Sequence, residues 1–421
     1  MEPFSIEEST TLTGARIVAV GVGGGGGNMI GYMLKEAIPG IELIMANTDA
    51  QVLAQGSAAT KIQLGAKLTK GLGAGMKPEV GKESALESYE DQDYGFVLQF
   101  PTILFEYFTN FKHDISSIYK FRHLWTFLNF YISVIFFNLL LYQRFRNRLI
   151  SLLGTLFLII SPRIFADSFY NTKDLLFLSW FTIGLFFLYQ FFHRTTKQNS
   201  LILAIVIALA ANTRIIGYIL LITAGFYLLY LLLKKKIDWK QFFTNGLILV
   251  GVNILLWFLF FPASWGKPID FLIQSIHHFT NNISGSQELY LGRFEPSMDL
   301  PWHYLPVWIF ISTPLFYTVL FFIGVIFLIR DFRIKDPDQV FDYIILGIFI
   351  ISFLTPICLH STLYNGWRHF YFLYVLFLYV VIFAISIFLE NKNKVIQTVT
   401  LGLSIGILIF NGAWMIKNHP Y

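Results

Sequence analysis

The sequence predicts a mainly α protein, a polytopic transmembrane helix bundle of about ten spans preceded by a short, truncated α/β fragment. Three observations predict it. Beyond about residue 91, apolar runs follow one another, many near the roughly 20 residues that a helix needs to cross a bilayer. Apolar residues make up 55% of the 421, aromatic residues 18% and charged residues only 14%, against about 25% charged in a soluble domain. Residues 1–91 have another grammar, in which short apolar strands and a helix are separated by glycine-rich turns.

In that first part, Ala15 to Val20 reads as a strand, Gly21 to Gly27 as a glycine-rich turn, Asn28 to Ile38 as a helix, and Ile41 to Ala46 as a second strand leading into Asn47, Thr48 and Asp49. This is one βαβ-like unit. A second glycine-rich loop runs from Lys70 to Lys82. Glycines between a strand and a helix let backbone N–H groups approach a phosphate, whose charge the helix N-terminus favours. Taken alone, such a turn is equally a flexible connection.

The apolar runs lie at 126–142, 149–161, 175–192, 199–212, 215–233, 242–261, 305–329, 343–359, 370–389 and 395–415, with 149–161 and 199–212 the shortest. Residues 96–111 are apolar but interrupted by Pro101 and Glu106, and read as an interfacial helix. Loops rich in Lys and Arg recur at every second turn: Arg144, Arg146 and Arg148; Arg194 and Lys197; Lys234, Lys235, Lys236 and Lys240; Arg330, Arg333 and Lys335; Lys392 and Lys394. They are expected on the cytoplasmic side of a bacterial inner membrane. The alternate loops, 161–174, 213–214, 262–304 and 360–369, then face the periplasm or exterior. The cations in 112–125 dissent from that pattern, and residues 1–20 lack the features of a signal peptide. The net charge of +5 is dispersed in these clusters, which excludes a nucleic-acid groove as the reading. The single cysteine, Cys358, excludes an intrachain disulfide and a cysteine metal site.

The strings GVGGGGGNMI, MANTDAQVL and TKGLGAGMKPEVGKESALESYE, within residues 14–90, resemble the start of the tubulin-like cell-division GTPase family FtsZ. The resemblance implies that Gly23, Gly24, Gly25 and Asn28 line nucleotide phosphates. It puts Asn47 and Asp49 in the next nucleotide loop, and Gly73, Ala74 and Gly75 in the third. That family's GGGTGTG loop does not follow residue 91, so the site is half a site. Neither tight GTP binding nor GTP hydrolysis is expected of it, and a sheet cut there is expected to expose apolar surface and strand edges.

Residues 92–421 carry a second set of strings: DYG at 93–95, SPRIFADSFYNTKD at 161–174, the TR pair Thr213–Arg214, PWHYLPVWIFISTP at 301–314 and YNGWRHFYF at 364–372. Ionisable residues at a membrane boundary also serve as plain interfacial anchors. The strings in this order resemble GT-C glycosyltransferases of the dolichyl-phosphate-mannose mannosyltransferase type, and imply a GT-C-like bundle lacking its first span. The implied reaction moves a hexosyl group from a polyprenyl-phosphate-linked sugar to an acceptor (glycan, lipid or protein) with inversion, in contact with membrane lipid and no nucleic acid. Arg163, Lys173, Arg214, Arg368 and His369 are the expected lipid-phosphate ligands, because a departing phosphate needs cations and Arg can hold two of its oxygens.

The family's catalytic Asp belongs to a segment replaced here by the α/β fragment. Asp93 and Asp174 are the remaining candidate catalytic carboxylates, Asp174 with a supporting role near the lipid phosphate or a metal as the resemblance implies, and activity is expected to be impaired. A divalent metal stays open as cofactor. His277, His278 and His303 read as interfacial or polar histidines in preference to metal ligands. The alternatives are a membrane-tethered GTP-binding, cell-division-like protein and a non-catalytic multi-span membrane protein.

Overall fold

The computed structural model describes residues 17–36, 41–58, 60–75, 77–87, 96–109, 115–261, 265–266, 268–270, 273, 287–297, 299–330, 332–334, 336–363 and 365–418. The chain divides into two compact units, residues 1–93 and 94–421.

The first unit is a three-stranded parallel sheet, β1 (Ile17–Val22), β2 (Ile41–Asn47) and β3 (Thr60–Gln63), in the order β1-β2-β3. Ile17 pairs with Ile41 and Ile44 with Thr60. Four helices accompany it: α1 (Gly23–Lys35), α2 (Ala50–Gln55), α3 (Ala66–Thr69) and α4 (Pro78–Glu87). A small core of Ile30, Leu43, Met45, Leu53 and Ala58 forms between β2 and the helices. The expected seven-residue turn shrinks to a single point. β1 continues to Val22 and α1 begins at Gly23, whose φ of +74° reverses the chain in one residue. A Cβ on Gly21 would lie 2.2 Å from the Gly26 carbonyl oxygen, so these two glycines let strand and helix touch. Val18, Val20 and Val22 are 43–61% exposed, the apolar surface expected of a small, cut sheet.

The second unit is mostly helical. Its helices are α5 (Phe96–Thr109), α6 (Ile115–Phe145), α7 (Arg148–Ile159), α8 (Pro162–Asp167), α9 (Asp174–His193), α10 (Lys197–Thr213), α11 (Ile219–Leu233) and α12 (Trp239–Phe260). An antiparallel hairpin, β4 (Gln287–Tyr290) and β5 (Arg293–Pro296), precedes α13 (Tyr304–Ser312), α14 (Leu315–Arg330), α15 (Pro337–Cys358), α16 (Phe372–Leu389) and α17 (Lys394–Asn418).

Among the described residues seven helices are long and apolar enough to cross a membrane, or eight if a bent pair counts as one span, against the ten expected. The difference has two sources. The 149–161 and 199–212 runs form α7 and α10, of 12 and 17 residues. At about 1.5 Å per residue these reach about 18 Å and about 26 Å, short of the roughly 30 Å hydrocarbon core. The 305–329 run is not one rod, because α13 and α14 meet at 118°. Pro314 follows the break, with no N–H to donate, and Thr313 before it is extended at φ −108° and ψ 136°.

Two helices form the axis of this unit. The apolar stretches of α9 and α16 are 83% and 78% buried inside the protein, whereas those of α11, α12 and α17 are only 17–33% buried and form its outer wall. Lipid tails are as apolar as leucine, so packing between such helices relies on close backbone approach and hydrogen bonds. Both occur here. Ser200 Oγ donates to Asn245 Oδ1 at 2.8 Å, and Asn253 Nδ2 donates to the Ala204 carbonyl at 3.2 Å, joining α10 to α12. A Cβ at Gly324 would lie 2.5 Å from the Val380 carbonyl oxygen, a backbone atom that cannot step aside. Gly324→Ala is therefore expected to destabilise the α14–α16 contact by about 1–3 kcal/mol. Thermal unfolding in detergent measures this, and an unchanged midpoint would mean that the helices do not pack this closely.

Candidate functional site

The two short helices shape the site. Both begin at the cation-rich end of the bundle, near Arg148 and Lys197, and stop before reaching the other end. Beyond α7 come Ser161 and α8, with Pro162 at the first helical position, where its missing N–H costs nothing. Beyond α10 comes Arg214, in extended conformation between α10 and a 3-10 turn at Ile215–Tyr218. A cavity of about 470 Å³ opens over these two helix ends. α9 and a 3-10 turn, Arg368–Phe370, close it from the other sides.

Arg163, Asp167, Tyr170, Asn171, Thr172, Lys173, Asp174, Arg214, Asn365, Arg368, His369 and Tyr371 line the cavity. All five expected phosphate ligands and Asp174 are thus brought together from three separate loops. Asp93 lies outside the described residues, as do His277 and His278. His303 is not in the cavity, and its Nδ1 meets the Tyr290 hydroxyl at 2.6 Å. Among the described residues no group of three or more His, Cys, Asp or Glu is arranged to hold a metal ion.

Two carboxylates organise the cations. Asp174 is 4% exposed and forms an ion pair with Arg214. Its other oxygen accepts from Asn171 Nδ2 at 3.1 Å and lies 3.7 Å from Arg368 Nε. Asn171 Oδ1 accepts the Asp174 N–H at 3.0 Å, so the residue is held at side chain and backbone alike. A carboxylate held by two arginines and an amide is placed to orient those cations. Asp167 is the second, 8% exposed, and accepts the Tyr371 O–H. The Tyr371 oxygen in turn accepts from Arg163 Nε at 2.7 Å. The Arg163 guanidinium also lies 5.7 Å from the Trp308 ring centroid.

His369 lines the same cavity. Burial, reinforced by the Arg214 charge and only partly offset by Asp174, pushes its pKa down to about 3. That direction favours the neutral imidazole, which can still hydrogen-bond a phosphate oxygen, so the charge of the site rests on its arginines and lysine. Burial, with the Asp167 charge second, pushes the Tyr170 hydroxyl up to about 12, so it remains a neutral donor. Four cations, Arg163, Lys173, Arg214 and Arg368, then face two carboxylates, leaving a net charge of +2. Such a cavity suits a phosphate dianion or a diphosphate.

Arg163 also lines a second, apolar groove of about 620 Å³. Pro162, Ile311, Thr313, Pro314, Leu315 and Phe316 form it at the α13–α14 break, with Ile407, Phe410 and Trp414 of α17 opposite. Sequence reading did not single out this groove, nor Tyr371, Asn171 and Asn365. A signal for one of the missed roles was present, since Arg163 and Asp167 are four apart, the spacing of neighbours on one helix face.

In the first unit the three expected nucleotide stretches meet at the C-terminal ends of β1 and β2, where open α/β sheets bind ligands. Gly23 opens α1 there, and Cβ atoms on Gly24 and Gly25 would meet nothing within 4 Å. Asn28 is exposed on α1. Asn47 Oδ1 accepts from the Asp49 N–H at 3.1 Å. Asp49 caps α2, accepting from Gln51 N at 2.8 Å and Val52 N at 3.2 Å. The Ala74 N–H donates to Thr48 Oγ1 at 3.1 Å, and Gly73 and Gly75 have φ of +80° and +58°.

Comparison with known proteins finds likeness in this first unit. The model of the Tubulin/FtsZ family, GTPase domain, matches residues 16–93. The cell division protein FtsZ of Pseudomonas putida is 57% identical over 74 residues, 18% of this chain and 19% of the relative. That of Pseudomonas aeruginosa is 55% identical over 87 residues, 21% of this chain and 22% of the relative. That of Coxiella burnetii is 48% identical over 79 residues, 19% and 20% respectively. The chain spans about a fifth of the length of these curated relatives.

Proposed function

We propose that the unit at 94–421 is a membrane-embedded, GT-C-type hexosyltransferase component that grips a polyprenyl-phosphate-linked sugar and passes the sugar to an acceptor at the periplasmic or outer face. The observation that carries this reading is the sharing of Arg163 between a cavity of net charge +2 and an apolar groove. A ligand filling both has an anionic head and a hydrocarbon tail. Phosphate oxygens would meet Arg163, Arg214 and Arg368, and the prenyl chain would lie along Ile311, Leu315, Phe410 and Trp414. The motif resemblance of 92–421 supports the sugar-transfer part of the reading, and the relatives, whose likeness lies elsewhere, do not bear on it. The cavity's two carboxylates are already engaged, so binding is expected to be stronger evidence than turnover. The cation-rich ends near Arg146, Arg194 and Lys235 would face the cytoplasm.

The test is binding of farnesyl phosphate to the full chain in detergent, with farnesol and inorganic phosphate as controls. Farnesyl phosphate is expected to bind tightly, and the controls at least about tenfold more weakly. Arg368→Ala should weaken farnesyl phosphate binding by about 10- to 100-fold, the worth of one charge-assisted hydrogen bond. Equal affinity for farnesol and its phosphate would end the reading.

A second reading draws on residues 16–93, a Tubulin/FtsZ GTPase-domain segment 48–57% identical to the cell division proteins above. In it the chain is a membrane-tethered, GTP-binding, cell-division-like protein. Saturable binding of a fluorescent GTP analogue by the full chain would favour it. Half a site, with Asp49 already committed to capping α2, argues that such binding is weak.

A further inference from the structure

Contacts from the β4–β5 hairpin reach the Asn365 edge of the cavity. The β4–β5 hairpin turns at Leu291 and Gly292, whose φ values of +48° and +81° are those of a tight two-residue turn. Tyr290, 5% exposed, anchors the hairpin to the start of α13 through His303. Glu288, two residues earlier, lies on the same face of the strand. Its Oε2 accepts the Asn365 backbone N–H at 2.8 Å and the Tyr304 hydroxyl at 3.4 Å. That hydroxyl oxygen accepts the Gly366 N–H at 3.1 Å. The Leu363 N–H donates to the Ser297 carbonyl at 3.3 Å, a further stitch between the same two segments.

These bonds fall on an unusual piece of backbone. Asn365 and Gly366 are consecutive and both left-handed, at φ +54° and +71°. Asn tolerates that conformation better than other non-glycine residues, and the bonds from Glu288 and Tyr304 hold the turn there. The turn backs directly onto the site, since a Cβ on Gly366 would stand 3.4 Å from Arg163 Nη2 and 3.5 Å from the Trp308 ring. Trp367 follows, 1% exposed, with its Nε1 donating to Ser312 Oγ at 2.7 Å. Arg368 comes next and enters the cavity.

We propose that Glu288 is a positioning residue for the anion cavity: by holding the Asn365–Gly366 turn it sets where Arg368 points and what Arg163 packs against. The inference rests on the cavity's binding an anionic lipid headgroup. A carboxylate suits the task because it accepts two donors at one oxygen, more strongly than a neutral group would. Nothing in Glu288's role calls for it to touch the ligand.

The test measures farnesyl phosphate affinity and thermal midpoint for the full chain in detergent, in a double-mutant cycle with Arg368. Glu288→Ala is expected to weaken binding by about tenfold, and to add less than about twofold in an Arg368→Ala background, because both changes remove the same contribution. Glu288→Gln keeps an acceptor oxygen and should stay within about threefold of wild type. Tyr304→Phe, which loses only the relay to Gly366, should fall between the two and serves if Glu288→Ala does not fold. Wild-type affinity in Glu288→Ala, or additive losses with Arg368→Ala, would overturn the positioning role while leaving the cavity reading intact. A wild-type chain that does not distinguish farnesyl phosphate from farnesol would overturn both.

Discussion

Arg144→Ala should lower the thermal midpoint of the full chain in detergent by about 10 °C, while leaving farnesyl phosphate affinity unchanged. Arg144, near the end of α6, donates from Nε to Asp342 Oδ1 at 2.8 Å and from Nη2 to the other oxygen. Asp342 on α15 is 2% exposed and also accepts the Tyr379 hydroxyl of α16 at 2.6 Å. Beside this pair, Tyr189 and His193 of α9 both reach Asp338 Oδ1, at 2.6 Å and 2.9 Å. Four helices are thus tied together at the end of the bundle away from the cavity. Removing the guanidinium leaves a carboxylate buried without its counter-charge, which costs about 3–5 kcal/mol and corresponds to about 2–4 °C per kcal/mol in a unit of this order of size. Arg144→Met combined with Asp342→Leu should recover most of the loss, less about 1–3 kcal/mol for the Tyr379 hydroxyl left without its acceptor. The cavity is the length of α9 away, 20 residues or about 30 Å, so binding should not respond. A midpoint within about 2 °C of wild type for Arg144→Ala would show that the pair is open to water.

Arg214→Ala should affect both stability and binding. It breaks the ion pair with Asp174, but Asn171 at 3.1 Å and Arg368 at 3.7 Å remain beside that carboxylate. The stability loss is therefore expected at about 3 kcal/mol, the lower end for a buried pair. The cavity also falls from a net +2 to +1, and farnesyl phosphate should bind about 10- to 100-fold more weakly. Adding Asp174→Leu in an Arg214→Met background separates the two effects. Stability should largely return, since no carboxylate is left buried without its counter-charge and Arg368 is partly exposed, while affinity should not, since the phosphate has lost a ligand. Recovery of both would mean that Arg214 serves the fold alone, and recovery of neither would mean that the cavity collapses without its polar floor.

Much of the local structure was legible in order along the chain. A glycine-rich turn between strand and helix was legible and the structure places it at Gly23, whereas the break at Pro314 lay inside what read as one 305–329 run. The polar strings around Arg163, Arg214 and Arg368 stood out because charge inside apolar sequence is costly. Less legible was what each polar group does. Asn171, three residues before Asp174, and Arg214, forty residues after it, hold that carboxylate in place, a pairing that no single stretch of sequence shows. The groups that depress the His369 pKa come from separate loops, so its surroundings were not legible along the chain. Of the ten apolar runs, those at α7 and α10 form helices of only 12 and 17 residues, because an apolar run marks a buried helix without fixing where the helix stops.

The sequence by itself determined that residues 94–421 carry apolar helices suited to a bilayer, that an α/β segment precedes them, and which few polar stretches interrupt them. Those properties follow from hydrophobic period, run length and local backbone sterics, all of which act along the chain. Only the tertiary structure decided that Arg163 meets Tyr371, 208 residues away, that Arg144 meets Asp342, 198 residues away, and that the cavity opens onto an apolar groove. Ion pairs, tyrosine relays and charge states depend on which groups share a buried volume, and that is fixed by the packing of helices far apart in sequence.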